Sequence, residues 1–307
     1  IGGSSFVAHV SHAAAAIHAG LCNVALVLYG STAASNSMAI GTGGSGGSKN
    51  PDTAFSAPYG MTTVGSYATY ANLHMKTYGT TSEQLAEIAV TMRQHATLNP
   101  LAKMRNPITI DDVLTSRMIS RPLHLLDCCI ISDGGGAVVV TSLDHARDLR
   151  KKPVQILGCG EAVQHQGVGY SDILSIAAKQ SGAKALQMAG VQHSDIDLAM
   201  IYDSFTITVL ATLENLGFCP VGEGGDFVAN GGISLQGSLP VNPDGGGLSS
   251  NHPGMRGIFL VIEAVKQLRN ECDARQVPNA EVALAHGTGG TIGDKHSGAT
   301  LILGVDR

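Results

Sequence analysis

Hydrophobic residues recur at helical spacing in several stretches of the chain. Near its start, Val10, Ala13, Ala14 and Ile17 fall on one face of a predicted helix, and Gly20 supplies a stop. Capping signals and apolar faces predict five further helices: residues 81–98, a short segment that starts near 107, and residues 182–190, 206–216 and 258–268.

Short apolar runs between these helices predict strands. They cover residues 23–30, 132–141, 154–158, 196–201, 282–285 and 299–304, and the first two read as buried strands. Strands that alternate with helices predict a mixed α/β protein built in layers. The runs Gly136-Ala-Val-Val-Val140 and Gly298-Ala-Thr-Leu-Ile302 close the two halves in a similar way, which suggests a duplicated βαβ architecture.

Residues 35–80 differ from the rest because they are rich in Gly, Ser, Thr and Tyr and show no clear periodicity. A segment of this length without regular structure predicts an elaborated functional insertion. Within it, residues 41–46 match the dinucleotide-binding pattern G-x-G-x-x-G by letter. No strand-like run leads into the match, so we interpret it as flexible loop.

Composition excludes several classes of function. The 307 residues are 44% hydrophobic and 14% charged, which suits one large domain or two closely packed halves with a large core. The net charge of −5, the lack of a basic block and the absence of tryptophan argue against nucleic acid as the main partner. No apolar run is long enough to span a membrane. The six cysteines form no C-x-x-C pair, which favours free thiols in a reducing cytosol over a metal ribbon.

Three polar clusters are candidates for chemistry. One is the glycine-rich stretch 242–257, where His252 precedes a proline; the others are residues 202–205 and 286–290, which follow predicted strands. His252 could stabilise an oxyanion or move a proton, or it could be a surface histidine at a helix entry. Ser4 and Ser5 lie where a loop enters a helix, so they could be a nucleophile or oxyanion site, although a serine N-cap is the more common explanation.

The motifs taken together resemble the thiolase superfamily, and most closely its sterol-carrier-protein-x and lipid-transfer-protein branch. They are Tyr78-Gly-Thr-Thr-Ser-Glu-Gln-Leu-Ala86, Asn99-Pro-Leu-Ala102, Leu125-Leu-Asp-Cys-Cys129, Ser132-Asp-Gly134, the run 196–205, Leu216-Gly-Phe-Cys219, the stretch 242–257 and His286-Gly-Thr-Gly-Gly290. The resemblance covers nearly the whole chain. It implies a layered α-β-α-β-α fold made of two βαβ halves, residues 1–150 with an insertion at about 32–125, and residues 151–307. It also implies that the first strands and helices of the family precede residue 1.

The resemblance assigns site residues one by one. Ser4 takes the place of the family's nucleophilic cysteine, since Cys22 falls a full helix later. Tyr202 heads the run that matches the sterol-carrier motif His-Asp-x-Phe. His252 matches the histidine of a Gly-His-Pro motif, and His286 takes the place of the second catalytic cysteine. Further contacts with the substrate are expected at Asp203, Phe205, Gly246 and Gly289.

Without a cysteine, ordinary thiolysis is disfavoured, because serine is a weaker nucleophile near neutral pH. The resemblance then implies retro-aldol cleavage of a β-hydroxyacyl-CoA. His252, with backbone N–H groups near Ser4 and Ser5, would stabilise the enolate; His286 would be the base, and Tyr202 a donor or positioner. The alternatives are acyl transfer and a non-catalytic lipid-binding or acyl-CoA-binding protein. We expect coenzyme A only as part of the substrate, no metal, a homodimer, a possible zinc-ribbon and OB-fold (DUF35) partner, and a cytoplasmic location.

Overall fold

A computed structural model describes residues 1–38, 62–165, 172–293 and 295–306. Within those ranges the α-helices are α1 (Ser5–His18), α2 (Thr63–Tyr78), α3 (Ser82–Thr97), α4 (Ile110–Thr115), α5 (Leu143–Arg147), α6 (Ala178–Ala189), α7 (Thr206–Leu216), α8 (Gly224–Ala229) and α9 (Gly257–Leu268). The strands are β1 (Val24–Thr32), β2 (Met118–Ser120), β3 (Leu123–His124), β4 (Asp133–Thr141), β5 (Val154–His165), β6 (Leu198–Ile201), β7 (Val282–Gly290) and β8 (Lys295–Val305).

Local signals set the ends of several helices, as predicted. The α3 helix starts with a capping box, in which the Thr81 side chain accepts from Gln84 and the Gln84 side chain accepts from Thr81. The α7 helix ends at Gly217, whose φ of +89° is open to glycine but costly for other residues. The G-x-G-x-x-G match at residues 41–46 lies outside the described residues.

The described part of the chain contains two main sheets and one short strand pair. β1 and β4 pair antiparallel, from Val24 opposite Thr141 to Thr32 opposite Asp133. The larger sheet has the order β5-β8-β7-β6, with β6 parallel to β7 and the other pairs antiparallel. β2 and β3 form a separate short pair.

The two sheets enclose a layer of two helices. α1 and α9 contact the β1–β4 sheet on one side and the four-stranded sheet on the other. α6 packs on the far side of the larger sheet, and α7 contacts α6. The layered α/β fold expected from the sequence is confirmed by these contacts. The central core holds residues such as Val7, Leu260, Ala285 and Leu301, all of which are buried.

The prediction of two buried strands at residues 23–30 and 132–141 is wrong for one face of each strand. Val24, Leu26 and Leu28 are 50%, 60% and 59% exposed, and Val139 is 62% exposed. Side chains alternate across a strand, so a run that is apolar at every position places half of its side chains on the face opposite the core. In the described residues, no layer covers that face.

The prediction of irregular structure throughout residues 35–80 is also wrong at its C-terminal end, where α2 lies. Thr62 caps this helix by accepting from Gly65 N, and Gly79 ends it with a φ of +79°. Buried aromatic residues on one face, including Tyr67 and Tyr70, pack into a second buried cluster, called the outer core, which also holds Leu284 and Ile302 of the larger sheet. Tertiary burial therefore outweighs the weak helix propensity of the Gly, Ser, Thr and Tyr residues in this segment.

A membrane span would require a long and consistently apolar helix. Among the helices of the ranges given above, none has the length and hydropathy needed to cross a bilayer.

Candidate active site

A buried tyrosine–histidine pair lies at the centre of the polar clusters. Tyr202 directly follows β6 and His252 lies on the glycine-rich loop that leads to α9. The Tyr202 hydroxyl lies 2.9 Å from His252 Nε2, and the side chains are 4% and 3% exposed. The pair therefore joins two of the three clusters through one buried hydrogen bond.

The start of α9 points at the same hydroxyl. The backbone N–H of Arg256, the N-cap residue of α9, donates to the Tyr202 oxygen at 3.2 Å. A helix N-terminus carries unpaired N–H groups and a partial positive charge. The Tyr202 oxygen is thus held where negative charge would be stabilised.

The start of α1 approaches the tyrosine ring from another side. Gly3 packs so closely that a Cβ there would lie 2.6 Å from Tyr202 Cε2 and 2.8 Å from Cζ. Ser4, the N-cap residue of α1, is fully buried, and its hydroxyl makes no capping hydrogen bond. That hydroxyl instead donates to Ile1 O at 2.7 Å and lies 2.9 Å from Ser297 Oγ. Two helix starts therefore converge on Tyr202.

Ser5, the other expected oxyanion residue, is the first residue of α1. Its backbone N–H donates to Gly2 O, so this group is already occupied. Its side chain is partly exposed, unlike that of Ser4. Of the two serines, Ser4 is the buried one, and its neighbour Gly3 packs against Tyr202.

The glycine-rich loop is held in place by Asp203. Its carboxylate accepts from Gly247 N at 2.7 Å and Leu248 N at 3.1 Å. A Cβ at Gly246 would overlap the Asp203 carboxylate, and the φ of Gly246 is +67°, so only glycine suits this position. Burial raises the pKa of Asp203 to about 6, against the opposing effects of Arg256 and the two N–H donors. The Asp203 carboxylate, for which a substrate contact was expected, is therefore occupied in orienting the glycine-rich loop.

Ser132 and Asn242, which the sequence did not single out, also position the pair. Ser132 Oγ accepts from His252 N at 2.9 Å, and Ser132 N donates to His252 O. The Asn242 side-chain amide bonds both the N–H and the C=O of Ile201 at 2.8 Å, which ties the loop to the end of β6. Asn242 is already part of the glycine-rich motif, whereas Ser132 could be found only through its place in the matched run 132–134.

Burial sets the protonation states of the pair. It raises the pKa of Tyr202 well above its ordinary value, and nearby Cys129 raises it further, while the Arg256 N–H and guanidinium lower it. It lowers the pKa of His252 to about 4, and the Arg256 charge adds to this effect. At neutral pH both groups are therefore uncharged. His252 Nδ1 is buried and has no hydrogen-bond partner within the described ranges.

His286 lies on the opposite face of the larger sheet. The predicted strand ended at Ala285, but β7 continues through Gly290, so His286 follows the alternation of the strand. Ala285 faces the central core with Tyr202, and Leu284 faces the outer core. The His286 side chain shares the Leu284 face, and its Nδ1 lies 2.9 Å from Thr300 Oγ1. The His286 side chain thus points away from Tyr202. The backbone of His286 does contact Tyr202, since its C=O accepts from Tyr202 N at 3.0 Å.

The remaining expected contacts are spread over both faces. Phe205 belongs to the outer core and stacks against Tyr67 with a centroid distance of 4.6 Å. Gly289 faces the chain start, where a Cβ would overlap Ile1 O and lie 2.6 Å from Ser297 Oγ. Gly246 is part of the glycine-rich loop that Asp203 holds, so of these three residues it lies nearest to the pair in the hydrogen-bond network. In the described part of the chain, no three His, Cys, Asp or Glu side chains are grouped to hold a metal ion.

Comparison with known proteins identifies the family of the chain. A family model described as "Thiolase C-terminal domain-like" matches residues 160–305. The chain is 38% identical to a steroid side-chain-cleaving aldolase from Thermomonospora curvata, over 100% of this chain and 79% of that protein. The chain belongs to the thiolase superfamily.

Two further relatives show the range of this superfamily. An acetyl-CoA acetyltransferase from Methanothermobacter thermautotrophicus is 39% identical over 79% of this chain, and the match spans 64% of that protein. A solved structure titled "Ltp2-ChsH2(DUF35) aldolase" has a TM-score of 0.88 and 36% identity, and covers 100% of this chain and 78% of that one. Thiolase-superfamily proteins with similar sequences thus bear both acyltransferase and aldolase names.

Proposed function

We propose that this thiolase-superfamily chain is a carbon–carbon lyase that cleaves a β-hydroxyacyl-CoA by a retro-aldol reaction. The observation that carries the proposal is the buried Tyr202–His252 hydrogen bond, whose phenol oxygen also accepts an N–H from the start of α9. An oxygen with a basic nitrogen on one side and a helix N-terminus on the other can accept and return a proton without charge building up on it. The aldolase among the relatives supports the same reaction class.

In the proposed reaction, the Tyr202 oxygen takes the proton of the substrate β-hydroxyl while its own proton passes to His252 Nε2. The Cα–Cβ bond breaks, its electron pair forms the thioester enolate, and the β-carbon leaves as a ketone. The proton then returns from His252 through Tyr202 to the enolate Cα. The net change is the transfer of one proton from oxygen to carbon, so no external co-reactant is consumed.

This relay removes the need for a free phenolate. Burial raises the pKa of Tyr202, so a tyrosinate is costly at neutral pH. With Tyr202 donating to Nε2, neutral His252 carries its proton on Nδ1, which has no partner in the described residues and is available to donate to the enolate oxygen. The imidazolium formed during the step carries a charge opposite to that of the enolate, and this offsets part of the cost of charging a buried histidine.

The environment of Ser4 supports lyase chemistry over acyl transfer. An attacking serine requires a base beside its hydroxyl. The hydroxyl of Ser4 instead donates to a backbone carbonyl and lies against Ser297, and neither is a base. The alternatives to the lyase are acyl transfer and simple acyl-CoA binding, and the activity test below distinguishes them from it.

The proposed substrate is an acyl-CoA thioester, with coenzyme A entering only as part of it. The proposed assembly is a homodimer that associates with a DUF35-class subunit. The support for that subunit is the matched structure whose title includes ChsH2(DUF35). Co-expression with a DUF35 protein, followed by size-exclusion chromatography with light scattering, tests it; elution of the chain alone would contradict it.

The activity test uses two substrates in parallel, each read by mass spectrometry. One reaction contains a β-hydroxyacyl-CoA without free CoA, and the other contains a β-ketoacyl-CoA together with free CoA. Each substrate is tested with a steroid, an aromatic and an aliphatic acyl group. The proposal predicts a ketone and a shorter acyl-CoA from the hydroxy substrate alone. CoA-dependent cleavage of only the keto substrate would indicate a thiolase, and binding without cleavage would indicate a carrier.

A further inference from the structure

Arg256 is the largest charged side chain in the interior near the tyrosine–histidine pair. Its side chain is fully buried. Burying a guanidinium costs several kcal/mol unless its N–H groups and charge are well matched. Its position therefore calls for an explanation, and the sequence-based site assignment does not include it.

Each nitrogen of the guanidinium faces a different part of the candidate site. Nη2 lies 2.6 Å from Asp244 Oδ2, at the head of the glycine-rich loop. Nη1 donates to Asn251 O at 3.0 Å and to Asn251 Oδ1 at 3.1 Å, next to His252. Nε lies 3.4 Å from Asp203 Oδ1, next to Tyr202. Nε has this ion-pair contact but no hydrogen bond in the described residues, and the whole side chain is buried, so no face of the guanidinium is open to a phosphate or a carboxylate of a ligand.

The backbone of the same residue completes the arrangement. Its N–H donates to the Tyr202 oxygen. Arg256 therefore contacts Tyr202 directly. It also holds Asp203, which follows Tyr202, and Asn251, which precedes His252. Arg256 thus contacts both sides of the direct 2.9 Å hydrogen bond between Tyr202 and His252.

The charge of Arg256 also acts on both members of the pair. It lowers the pKa of His252, after burial as the larger cause, and it opposes the rise in the pKa of Tyr202. The other groups that act on the arginine are Asp244, Asp203 and Glu263, the last from the next turns of α9, and Cys129 acts on the tyrosine. Removing the arginine charge therefore shifts the pair in a known direction: the pKa of His252 rises.

We propose that Arg256 is a positioning residue that sets the geometry of the Tyr202–His252 pair, an inference that rests on the proposed retro-aldol function of that pair. Arg256 does not contact the reacting atoms through its guanidinium. It acts by joining the end of β6, the glycine-rich loop and the start of α9, with Asp203 and Asp244 balancing its charge.

The test compares Arg256→Lys and Arg256→Gln with Arg275→Gln as the matched control. Arg275 is also buried and forms an ion pair with buried Glu263 at 2.8 Å, but it contacts neither Tyr202 nor His252. Lysine keeps the charge and loses the planar fork, so it separates geometry from charge. We expect both Arg256 variants to lose at least about 30-fold in kcat with KM within about 3-fold, while Arg275→Gln loses stability but keeps kcat per folded molecule.

A second readout is independent of activity. In ¹⁵N-histidine NMR, Arg256→Gln should raise the titration midpoint of His252, and Arg256→Lys should raise it less; Arg275→Gln should leave it unchanged. A folded Arg256 variant with wild-type kcat, or a folded Arg256→Gln protein with an unshifted His252 titration, would overturn the inference. If the Arg256 variants do not fold, Asn251→Ala and Asp244→Asn, which each remove one partner of the guanidinium, take their place; both should lower kcat, and Asp244→Asn should lower the His252 midpoint, because it leaves the arginine charge less balanced. If the wild-type chain cleaves no substrate, the proposed function fails, and the His252 titration still decides the role of Arg256.

Discussion

Replacing Gly3 with alanine tests whether the position of the Tyr202 hydroxyl controls the reaction. A Cβ at residue 3 would lie 2.6 Å from Tyr202 Cε2 and 2.8 Å from Cζ. Carbon atoms pack at about 3.5 Å or more, so the ring would have to retreat by about 0.9 Å. The Cβ cannot move away from the ring instead, because it would also overlap the backbone oxygen of Thr288.

A shift of this size is large compared with the range over which a hydrogen bond holds, about 2.7–3.2 Å. The Tyr202–His252 contact of 2.9 Å would be lost or distorted. Overpacking of this kind costs about 1–3 kcal/mol of stability, and a misplacement of about 1 Å at a catalytic group can cost about 100-fold in rate. We therefore expect Gly3→Ala to fold with a lowered Tm and to lose about 10- to 100-fold in kcat.

The assay is ketone release from the β-hydroxyacyl-CoA, normalised to the folded fraction measured by circular dichroism. Gly158→Ala is the matched control, since its Cβ would overpack α6 at 2.7 Å from Ala189 N and 3.0 Å from Ala189 Cβ, away from Tyr202. It should lower Tm but keep kcat. If a folded Gly3→Ala protein kept the wild-type kcat, the reasoning that links ring position to rate would be refuted.

Three further predictions concern the other buried groups. Ser4→Ala, which loses its contacts with Ile1 and Ser297, should cost about 1–2 kcal/mol in a denaturant titration and change kcat by less than about 3-fold; a loss near 1,000-fold would instead support acyl transfer through Ser4. His286→Gln should lower stability by about 1–3 kcal/mol through its lost bond to Thr300, with less than about 10-fold effect on kcat; a large kcat loss at unchanged stability would restore His286 as the base. Burial lowers the pKa values of His252, His286 and His296 to about 4, 3 and 4, whereas an unfolded histidine has a pKa of about 6.5. As the pH falls from about 6.5 towards 4, the unfolded chain therefore binds more protons than the folded chain. Stability should therefore drop on acidification, by about 2 kcal/mol for His252 alone between pH 7.5 and pH 5; equal urea midpoints at the two pH values would contradict this.

The elements that could be predicted from the sequence are those with strong local signals. The α7 helix follows from apolar spacing and from the left-handed Gly217, and its bounds of Thr206–Leu216 are those predicted. The α2 helix could not be predicted in this way, because the burial of Tyr67 and Tyr70 against other elements stabilises it rather than its own propensity. The exposed face of β1 could not be predicted for a similar reason. Leu26 and Leu28 are apolar residues, and the sequence does not show whether another layer covers their face.

The candidate site was predicted in its residues more than in its geometry. The motif that holds His252 and the one that holds Tyr202 do meet in the structure. The direction of the His286 side chain depended on whether β7 continues past Ala285, because a residue inside a strand follows the alternation of its side chains. Arg256 carried a weak signal that could have been used: it is the only charged side chain besides Asp244 in the stretch 242–257.

The measurement that tests the account most directly is the rate of ketone release from a β-hydroxyacyl-CoA by the wild-type chain and by Tyr202→Phe. Phenylalanine fills the same space, so the substitution removes the hydroxyl that contacts His252 and Arg256 N and leaves the packing of the ring. The account predicts CoA-independent cleavage by the wild type and at least about 100-fold less by Tyr202→Phe, with the fold retained. Equal rates for the two proteins would contradict the claim that this tyrosine handles the proton of the reaction.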